Sequence, residues 1–312
     1  MMDGKVLAFA GGVGGAKLAL GLSLTIPPER LVICVNTGDD DSFHGLHVSP
    51  DLDTMMYTLA GLSDPQFGWG IQGDTFSALS MLKQYGADAW FNLGDRDFAT
   101  HIRRTQLLGQ GATLSQVTRE LCESLHVSHS VIPMSDDPVR TIICTPGGDL
   151  SMQEYFVRQR AEPVIQSITY VGAEAARPSP PLVSALNDAE LIVFCPSNPA
   201  LSLGPILALP GVIDSLKASP AMKIAVSPIV GGDAVKGPAG KIMAELGQEV
   251  SCVGVASQYR DFCDILVIDI QDSHLSPQIN DLGVRPVVDS IIMQSESDKV
   301  ALAQSLIALR NG

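Results

Sequence analysis

Short apolar runs separated by helical patterns recur along most of the chain. The first two runs, 6–10 and 31–36, are of the buried-strand type, and between them lie a helical pattern over 17–24 and a turn at Pro27-Pro28. A strand, a helix and a second strand in this order form a βαβ unit, whose two strands are parallel. Later runs in ELIVFCPSNP, KIAVSPIVGG and DILVIDI have the same character. The pattern therefore predicts an α/β fold with a mostly parallel sheet.

Between the second strand and the middle of the chain, helical patterns dominate. They predict helices over 53–62, over 75–85 and within 99–126, where Ser115 precedes QVTRELCESL and is predicted to cap a helix. Helices between parallel strands are what an α/β fold requires to cover its sheet.

The pattern changes near residue 129. RTIICTPGGDLSMQEYF has the character of two strands around a Pro-Gly-Gly-Asp turn, and VIQSITYVG that of a third strand. We therefore predict a small antiparallel insertion over 129–172, which divides an α/β core into a first part, 1–128, and a second part, 173–312.

Composition and charge narrow the class of protein. The chain has 312 residues, 46% of them apolar, and carries 34 acidic against 20 basic residues, a formal charge of −14. This balance argues against a nucleic acid or an anionic membrane as a partner, because both require clustered Lys and Arg. The six cysteines form no C-x-x-C pair and several lie in apolar runs, as reduced thiols do in cytoplasmic proteins, and neither a secretion signal nor a membrane helix is expected.

The segment GGVGGAKLALGL follows the first predicted strand. Gly11, Gly12, Gly14 and Gly15 let the backbone approach an anion closely, the following helix directs its amide end at it, and Lys17 adds a positive charge. The segment matches neither the dinucleotide-binding pattern, whose third glycine would stand at Lys17, nor the P-loop pattern. It predicts a phosphate site without saying which phosphate; a glycine-rich turn with a solvated lysine is the alternative.

A long polar segment, NTGDDDSFHGLHVSPDLDT, follows the second predicted strand and begins with Asn36. Long polar loops in compact domains are usually functional. Asp51 and Asp53 precede an apolar helix, so that one of them can cap that helix while the other faces the crevice. A carboxylate there would bind Mg²⁺ or orient a hydroxyl nucleophile. We predict that both serve in catalysis and as metal ligands, whereas His44 and His47 are expected to be solvated.

Other polar residues follow later strands. Ligands of open parallel sheets bind at the carboxyl ends of the strands, and Ser197 and Asn198 of PSNP and Lys236 of SPIVGGDAVKGPAGK stand at such ends. In LGDRDFATHI, Arg96 either forms an ion pair with the neighbouring aspartates or clamps a phosphoryl or carboxylate group. We predict that Asn36, Ser197, Asn198, Lys236 and Arg96 contact substrate.

Taken together, these segments resemble the 2-phospho-L-lactate transferase family of deazaflavin coenzyme biosynthesis. The resemblance is carried in order by GGVGGAKLALGL, VNTGDDDSFHGLHVSPDLDTMMYTLAGL, GWGIQGDTF, LGDRDFATHI, PMSDDPVRT, PSNPALSLGPIL and SPIVGGDAVKGPAGKIM. The pair HVSPDLDTMMYTLAG and GDRDFATHI is the most specific part, and the matches extend over most of the chain.

The resemblance implies a Rossmann-like core with helices on both faces, a homodimer and a requirement for Mg²⁺. It implies transfer of a phosphorylated three-carbon acid from a guanosine diphosphate-activated donor to the ribityl hydroxyl of 7,8-didemethyl-8-hydroxy-5-deazariboflavin, with release of GMP. By motif position, the deazaflavin contacts of the family fall on Asp51 and Arg96. Phospholactate, phosphoenolpyruvate and 3-phosphoglycerate remain open as the acid.

Two other interpretations remain open at this point. A related group of regulatory proteins shares the glycine-rich segment and binds sugar nucleotides without catalysis, but it resembles this chain less over 47–58 and 93–102. A nicotinamide-dependent dehydrogenase is the other alternative, and the missing third glycine argues against it.

Overall fold

The computed structural model describes residues 4–310 and contains fourteen strands and twelve α-helices. The strands are β1 (Lys5–Ala10), β2 (Leu31–Val35), β3 (Asp41–Phe43), β4 (Leu46–Val48), β5 (Ser130–Pro133), β6 (Arg140–Thr145), β7 (Gly148–Ser151), β8 (Ser167–Val171), β9 (Ala189–Phe194), β10 (Met222–Val226), β11 (Ile229–Val230), β12 (Asp233–Ala234), β13 (Ile265–Asp269) and β14 (Arg285–Asp289).

The helices are α1 (Gly12–Ser23), α2 (Pro50–Leu59), α3 (Ser77–Gln84), α4 (Asp95–Gly109), α5 (Leu114–Ser124), α6 (Pro180–Asp188), α7 (Gly204–Leu207), α8 (Val212–Ala218), α9 (Ala239–Glu245), α10 (Cys252–Tyr259), α11 (Ser276–Asp281) and α12 (Glu296–Leu309). Two π-helical segments, Glu154–Arg158 and Pro199–Leu203, and two 3₁₀ segments, Pro28–Arg30 and Ile270–Leu275, complete the set.

A seven-stranded sheet in the order β14-β13-β10-β9-β1-β2-β5 forms the centre of the molecule, and every neighbouring pair is parallel. Alternate residues of β1 face opposite sides of the sheet, as the period of a strand requires. Leu7 and Phe9 pack with α6, α8 and α10, whereas Val6 and Ala8 pack with α1, α2 and α12. The predicted α/β fold, with helices on both faces, is confirmed.

The strand order has a switch point between β1 and β9. From β1 the chain proceeds outward through β2 to β5, and after returning at β9 it proceeds in the other direction through β10 and β13 to β14. The loops after β1 and β9 therefore diverge and leave a crevice at the carboxyl ends of these strands, which is where such sheets bind ligands.

Three of the predicted helices begin earlier than predicted, whereas α3, predicted from 75, begins at Ser77. The first begins at Gly12 rather than at 17, because the glycines are themselves part of its first turns, and α2 begins at Pro50 rather than at 53. The helical region 99–126 begins at Asp95 as α4. The predicted cap at Ser115 is wrong: Thr113 caps α5, accepting a hydrogen bond from the Gln116 N–H in a capping box.

The antiparallel region is a three-stranded sheet in the order β7-β6-β8. Its hairpin turns at Pro146-Gly147, within the predicted Pro-Gly-Gly-Asp turn. However, β5 pairs with β2 in the parallel sheet, so the antiparallel strands begin at Arg140 and not near residue 129. The division of the chain into 1–128, 129–172 and 173–312 otherwise stays a prediction.

Within residues 4–310, no single helix has both the length and the apolar character needed to cross a membrane. Pro199–Leu207 and Val212–Ala218 pass that test only as a pair, by length and composition, and they are bent at 83°.

Candidate active site

A cavity of about 670 Å³ opens at the switch point of the sheet. Its floor is formed by the segments that follow β1 and β9, and aromatic side chains of three other segments stand around it. It brings together most of the predicted site residues, namely Gly11, Gly12, Gly14, Lys17, Asp51, Ser197, Asn198 and Lys236.

Ser197 joins the two strand ends at the floor. Its hydroxyl accepts a hydrogen bond from the Gly11 N–H (3.1 Å) and donates one to the Gly11 carbonyl (2.9 Å). Asn198 accepts hydrogen bonds from the N–H groups of Ala200 and Leu201, both at 3.0 Å, and so begins the π-helical segment that follows. Both residues line the cavity and also maintain its floor.

The glycines of α1 serve close packing. A Cβ atom at Gly14 would lie 2.5 Å from the Pro196 carbonyl oxygen, and one at Gly15 would lie 2.6 Å from Ser197 Oγ. Only glycine permits these approaches, so the two residues let α1 lie against the loop after β9. Gly14 also borders the cavity, whereas Gly15 is buried behind it.

Asp51 lies in the first turn of α2 and is 8% exposed. Its Oδ1 accepts a hydrogen bond from the Gly12 N–H (2.8 Å) and its Oδ2 accepts one from Asn36 Nδ2 (3.0 Å). Asp51 therefore occupies the amide end of α1 instead of capping its own helix. Burial raises the pKa of Asp51 to about 6, the charge of Asp40 adds to this rise, and the two hydrogen bonds oppose it.

Asn36 lies below Asp51, fully buried, and connects three segments. Besides its bond to Asp51, its amide donates to the Leu201 carbonyl (3.3 Å), and its Oδ1 accepts from the Gly38 N–H (2.8 Å). The side chain thus contacts Asp51 and the loops around it. The sequence predicts that Asn36 contacts substrate, but any effect it has on substrate would be transmitted by Asp51.

Asp39, which sequence reasoning did not select, lines the cavity beside Asp51. It is 4% exposed, and its Oδ1 has no hydrogen-bond partner among residues 4–310. Burial and the negative charge of Asp51 hold its pKa well above the ordinary range. The run Asp39–Asp41 was visible in the sequence, but nothing there distinguished Asp39 from Asp40, which accepts hydrogen bonds from Ser49 Oγ (2.8 Å) and pairs with His47.

Asp53 lies on the other side of α2, away from the cavity. Its carboxylate pairs with both terminal nitrogens of the buried Arg104, one of them at 3.2 Å. The expectation that Asp51 and Asp53 together hold one metal ion does not agree with this arrangement, because residues two apart on a helix face different directions and Arg104 already occupies the Asp53 carboxylate.

Arg96 lies exposed at the first turn of α4, outside the cavity wall. Its Nη1 is 3.4 Å from the Gln72 carbonyl, and its backbone N–H donates to Asp74 Oδ1 (2.9 Å). It thereby adjoins the loop that carries Trp69, whose side chain lines the cavity. Within the described part of the chain, Arg96 forms no ion pair with Asp95 or Asp97, which was the alternative interpretation.

Lysines gather at one side of the cavity of this acidic chain. Lys17 Nζ donates to the Met293 carbonyl (3.0 Å), and burial together with the charges of Lys236 and Lys299 lowers its pKa. Lys236 Nζ donates to the Phe67 carbonyl (2.7 Å). Neither Lys17 nor Lys236 has a carboxylate within 4.0 Å among residues 4–310, so the charge of these two lysines is available to an anion in the cavity.

The two histidines of the polar segment differ from each other. His44 lies at the turn between β3 and β4 with a φ of +53°. His47, predicted to be solvated, instead lies with its Nε2 2.9 Å from Asp40 Oδ2 and is partly buried, so this expectation is wrong for His47.

The chain matches a known protein family over nearly its whole length. Residues 6–303 match the profile of a family described as 2-phospho-L-lactate transferase CofD. The chain belongs to this family. The predicted membership in the 2-phospho-L-lactate transferase family and the predicted transferase class are thereby confirmed, and the family is one of coenzyme biosynthesis.

Relatives of two kinds within the 2-phospho-L-lactate transferase family are about equally similar. A phosphoenolpyruvate transferase of Kitasatospora aureofaciens is 39% identical over 98% of this chain and 97% of its own length. A 2-phospho-L-lactate transferase of Methanococcoides burtonii is 38% identical over 97% of this chain and 99% of its own length.

A solved structure of a UPF0052-family protein from Bacillus halodurans has a TM-score of 0.63 with this chain. The sequences are 17% identical, and the match covers 98% of this chain and 99% of the other. This likeness shows a shared fold alone.

Proposed function

We propose that this transferase moves a phosphorylated three-carbon acid, 2-phospho-L-lactate or a close analogue such as phosphoenolpyruvate, from a guanosine diphosphate-activated donor to 7,8-didemethyl-8-hydroxy-5-deazariboflavin. The ribityl hydroxyl oxygen attacks the phosphorus that carries the acid. A new P–O bond forms, the P–O bond to GMP breaks, and GMP leaves with the electron pair of that bond.

The observation that carries this proposal is the position of Asp51. A buried carboxylate at the floor of a large cavity, with its pKa raised to about 6, is suited to accept a hydrogen bond from a hydroxyl and then its proton near neutral pH. Its bonds to Gly12 and Asn36 fix its orientation before substrate arrives. Asp51 is therefore the group that orients the nucleophile.

The donor diphosphate is assigned to the lysine side of the cavity. Because Asp51 already occupies the first amide of α1, a diphosphate at that end of the helix would meet a carboxylate and needs positive charge around it. Lys17 and Lys236 line the cavity and can supply this charge to the phosphate that becomes part of GMP and to its neighbour.

The residues present fit the Mg²⁺ ion that the family implies. Two buried carboxylates, Asp39 and Asp51, line the same cavity, and one oxygen of Asp39 lacks a partner among the described residues. Oxygen ligands of this kind suit Mg²⁺. Asp39 would hold the ion through this oxygen, in place of the predicted pair Asp51 and Asp53, while the neighbouring Asp51 serves the hydroxyl, and the ion would offset negative charge on the diphosphate.

The acceptor is assigned to the aromatic side of the cavity. Trp69, Phe91 and Phe156 line it, and Trp69 is 46% exposed, so a flat ring system can stack there. Arg96 adjoins the same loop through Gln72, and the predicted contact between Arg96 and the deazaflavin is retained as part of this proposal.

The test supplies the purified chain with Mg²⁺, the deazaflavin and guanylyl-activated phospholactate, phosphoenolpyruvate or 3-phosphoglycerate in separate reactions. We expect GMP and a phosphodiester of the deazaflavin in equal amounts from at least one donor, detected by chromatography and mass spectrometry. Absence of the phosphodiester with all three donors would refute the proposal, and the ratio of kcat/KM values among the donors identifies the acid.

We also propose a cytoplasmic homodimer. The location is supported by the six cysteines, all of which lie in the described part of the chain as free thiols. The dimer rests on the family resemblance alone. Light scattering coupled to gel filtration would give twice the chain mass of 33.0 kDa, and a monomer at micromolar concentration would contradict it.

A further inference from the structure

Five polar side chains form a network between α2 and α4, behind the cavity. Arg104 binds the Asp53 carboxylate and also lies with Nη1 3.2 Å from His101 Nδ1. His101 Nε2 lies 3.3 Å from Asp97 Oδ1, and the Tyr57 hydroxyl donates to the same oxygen at 2.7 Å. Arg104 and His101 are each 1% exposed, so this network lies in the interior.

The network is not explained by stability. Removing a charged pair from water costs several kcal/mol, and a buried ion pair can often be replaced by apolar residues without loss. A metal ion does not explain it either. Ligand atoms of Asp53, Asp97 and His101 lie within 4.8 Å of one another, but the guanidinium of Arg104 already places a positive charge against Asp53. What the pair of the Asp53 carboxylate and the Arg104 guanidinium does provide is a fixed relative orientation of the two side chains.

The pair of Asp53 and Arg104 holds the first turn of α2, which also carries Asp51. Successive residues of an α-helix are separated by about 100° around the axis, so Asp51 and Asp53 project about 200° apart from one turn. On one side Asp51 accepts hydrogen bonds from Gly12 and Asn36, and on the other Asp53 is held by Arg104. A rotation of this turn about the helix axis would therefore break the contacts of both aspartates at once.

We propose that Arg104 is a positioning residue, which holds the first turn of α2 through Asp53 so that Asp51 faces the cavity in a single orientation. Arg104 itself does not reach the cavity and acts only through Asp53. The consequence for turnover rests on the proposed function, whereas the consequence for the orientation of Asp51 does not.

The test separates positioning from stability with a charge-neutral pair. In Arg104→Met alone, Asp53 remains buried without its partner, and this variant is expected to lose thermal stability. Asp53→Leu combined with Arg104→Met removes both charges, and we expect it to regain most of that stability. Its kcat should nevertheless be about 10- to 100-fold below that of the unaltered protein, with KM for the donor nearly unchanged, because a small misplacement of a reacting group has effects of this size.

Two further variants complete the series. Arg104→Lys keeps the charge but not the planar fork, and its kcat should fall between those of the unaltered protein and of the double variant. Arg103→Met is the matched control, because Arg103 is the preceding residue on α4, is exposed, and pairs with Glu120 at the surface. It should leave both stability and kcat unchanged.

A readout independent of turnover is the hydrogen exchange of the Gly12 amide, measured by NMR. This N–H is bonded to Asp51, so a mobile first turn of α2 should accelerate its exchange at least tenfold in the double variant and not in Arg103→Met. Unchanged Gly12 protection, or a stable double variant with full kcat, would overturn the proposal. If the unaltered protein turned over none of the donors while Gly12 exchange responded as expected, the proposed function would fail and the positioning role would stand.

Discussion

Two glycine-rich segments border the cavity, and they differ in why most of their glycines are required. In the first, after β1, Gly12 has a φ of +62°, but Gly14 and Gly15 are required for another reason: their added Cβ atoms would collide with Pro196 and Ser197, because another chain segment lies too close. In the second, after β10, Gly231, Gly232 and Gly237 have φ values of +61°, +82° and +78°. There glycine is required by the left-handed backbone.

The two segments also differ in what their amides contact. The Gly12 N–H donates to Asp51, which faces the cavity, whereas the Gly231 N–H donates to both carboxylate oxygens of Asp272, at 3.1 and 3.0 Å. Asp272 is 3% exposed and does not line the cavity. Two segments of similar composition therefore differ in structure: the one after β1 forms the packed floor of the cavity, and the one after β10 forms an exposed loop with turns.

The strongest test of this difference is Gly14→Val. Its Cβ would lie 2.5 Å from a backbone oxygen, which cannot move aside cheaply, so we expect GDP binding to be abolished and the melting temperature to fall. Deazaflavin binding should fall less. The control is Gly237→Ala, where nothing lies within 4 Å and only backbone strain of about 1–2 kcal/mol is expected. Calorimetry with GDP that showed similar losses for both variants would contradict the distinction.

The next largest effect is expected for Asp51→Asn. Loss of the group that orients the hydroxyl and accepts its proton should lower turnover about a hundredfold or more, with the fold retained. Asp272→Asn is the matched variant, since it alters the carboxylate bonded to the second segment, and it should lower turnover by less than about tenfold. Equal effects in a steady-state assay would mean that the two carboxylates serve only to hold their loops.

The lysines of the two segments provide a smaller contrast. Lys17 is partly buried and fixed by the Met293 carbonyl, whereas Lys236 is exposed. Lys17→Ala should weaken GDP binding about tenfold and Lys236→Ala about threefold, because charge interactions are stronger away from solvent. If Lys17 meets the phosphate nearer the transferred group, GMP binding should change less than GDP binding. A loss for GMP as large as that for GDP would place Lys17 elsewhere on the nucleotide.

The smallest effect is expected at Arg96, which belongs to neither segment. An ammonium does not reproduce the planar fork of a guanidinium, so Arg96→Lys should weaken deazaflavin binding about threefold to tenfold and leave GDP binding unchanged. Calorimetry with each ligand measures this. Equal losses for both ligands would indicate that Arg96 only supports the loop near Gln72.

Much of the architecture could be predicted because it depends on local pattern. Apolar runs of strand length separated by helical periods indicate parallel strands, and ligands of such sheets bind at their carboxyl ends. That reasoning selected the segments that form the floor of the cavity but not the aromatic residues around it, and the order of the motifs along the chain selected the family. Helix starts were less accurate: glycines within a helix give no local signal of helix, which hid the start of α1, and the polar first turns of α2 and α4 have the composition of loops.

Which side chain of each segment reaches the cavity was decided by the tertiary structure. Asp39 and Asp40 are adjacent, yet Asp39 faces the cavity and Asp40 faces a loop. Arg103 and Arg104 are also adjacent, yet Arg103 lies at the surface and Arg104 in the interior. Asp51 and Asp53 share one helical turn and face opposite ways. The physical reason is that the sequence determines which charged residues a segment carries. The direction in which each side chain points depends instead on how the segment packs against residues far away in the sequence, here Gly12, Asn36 and Arg104.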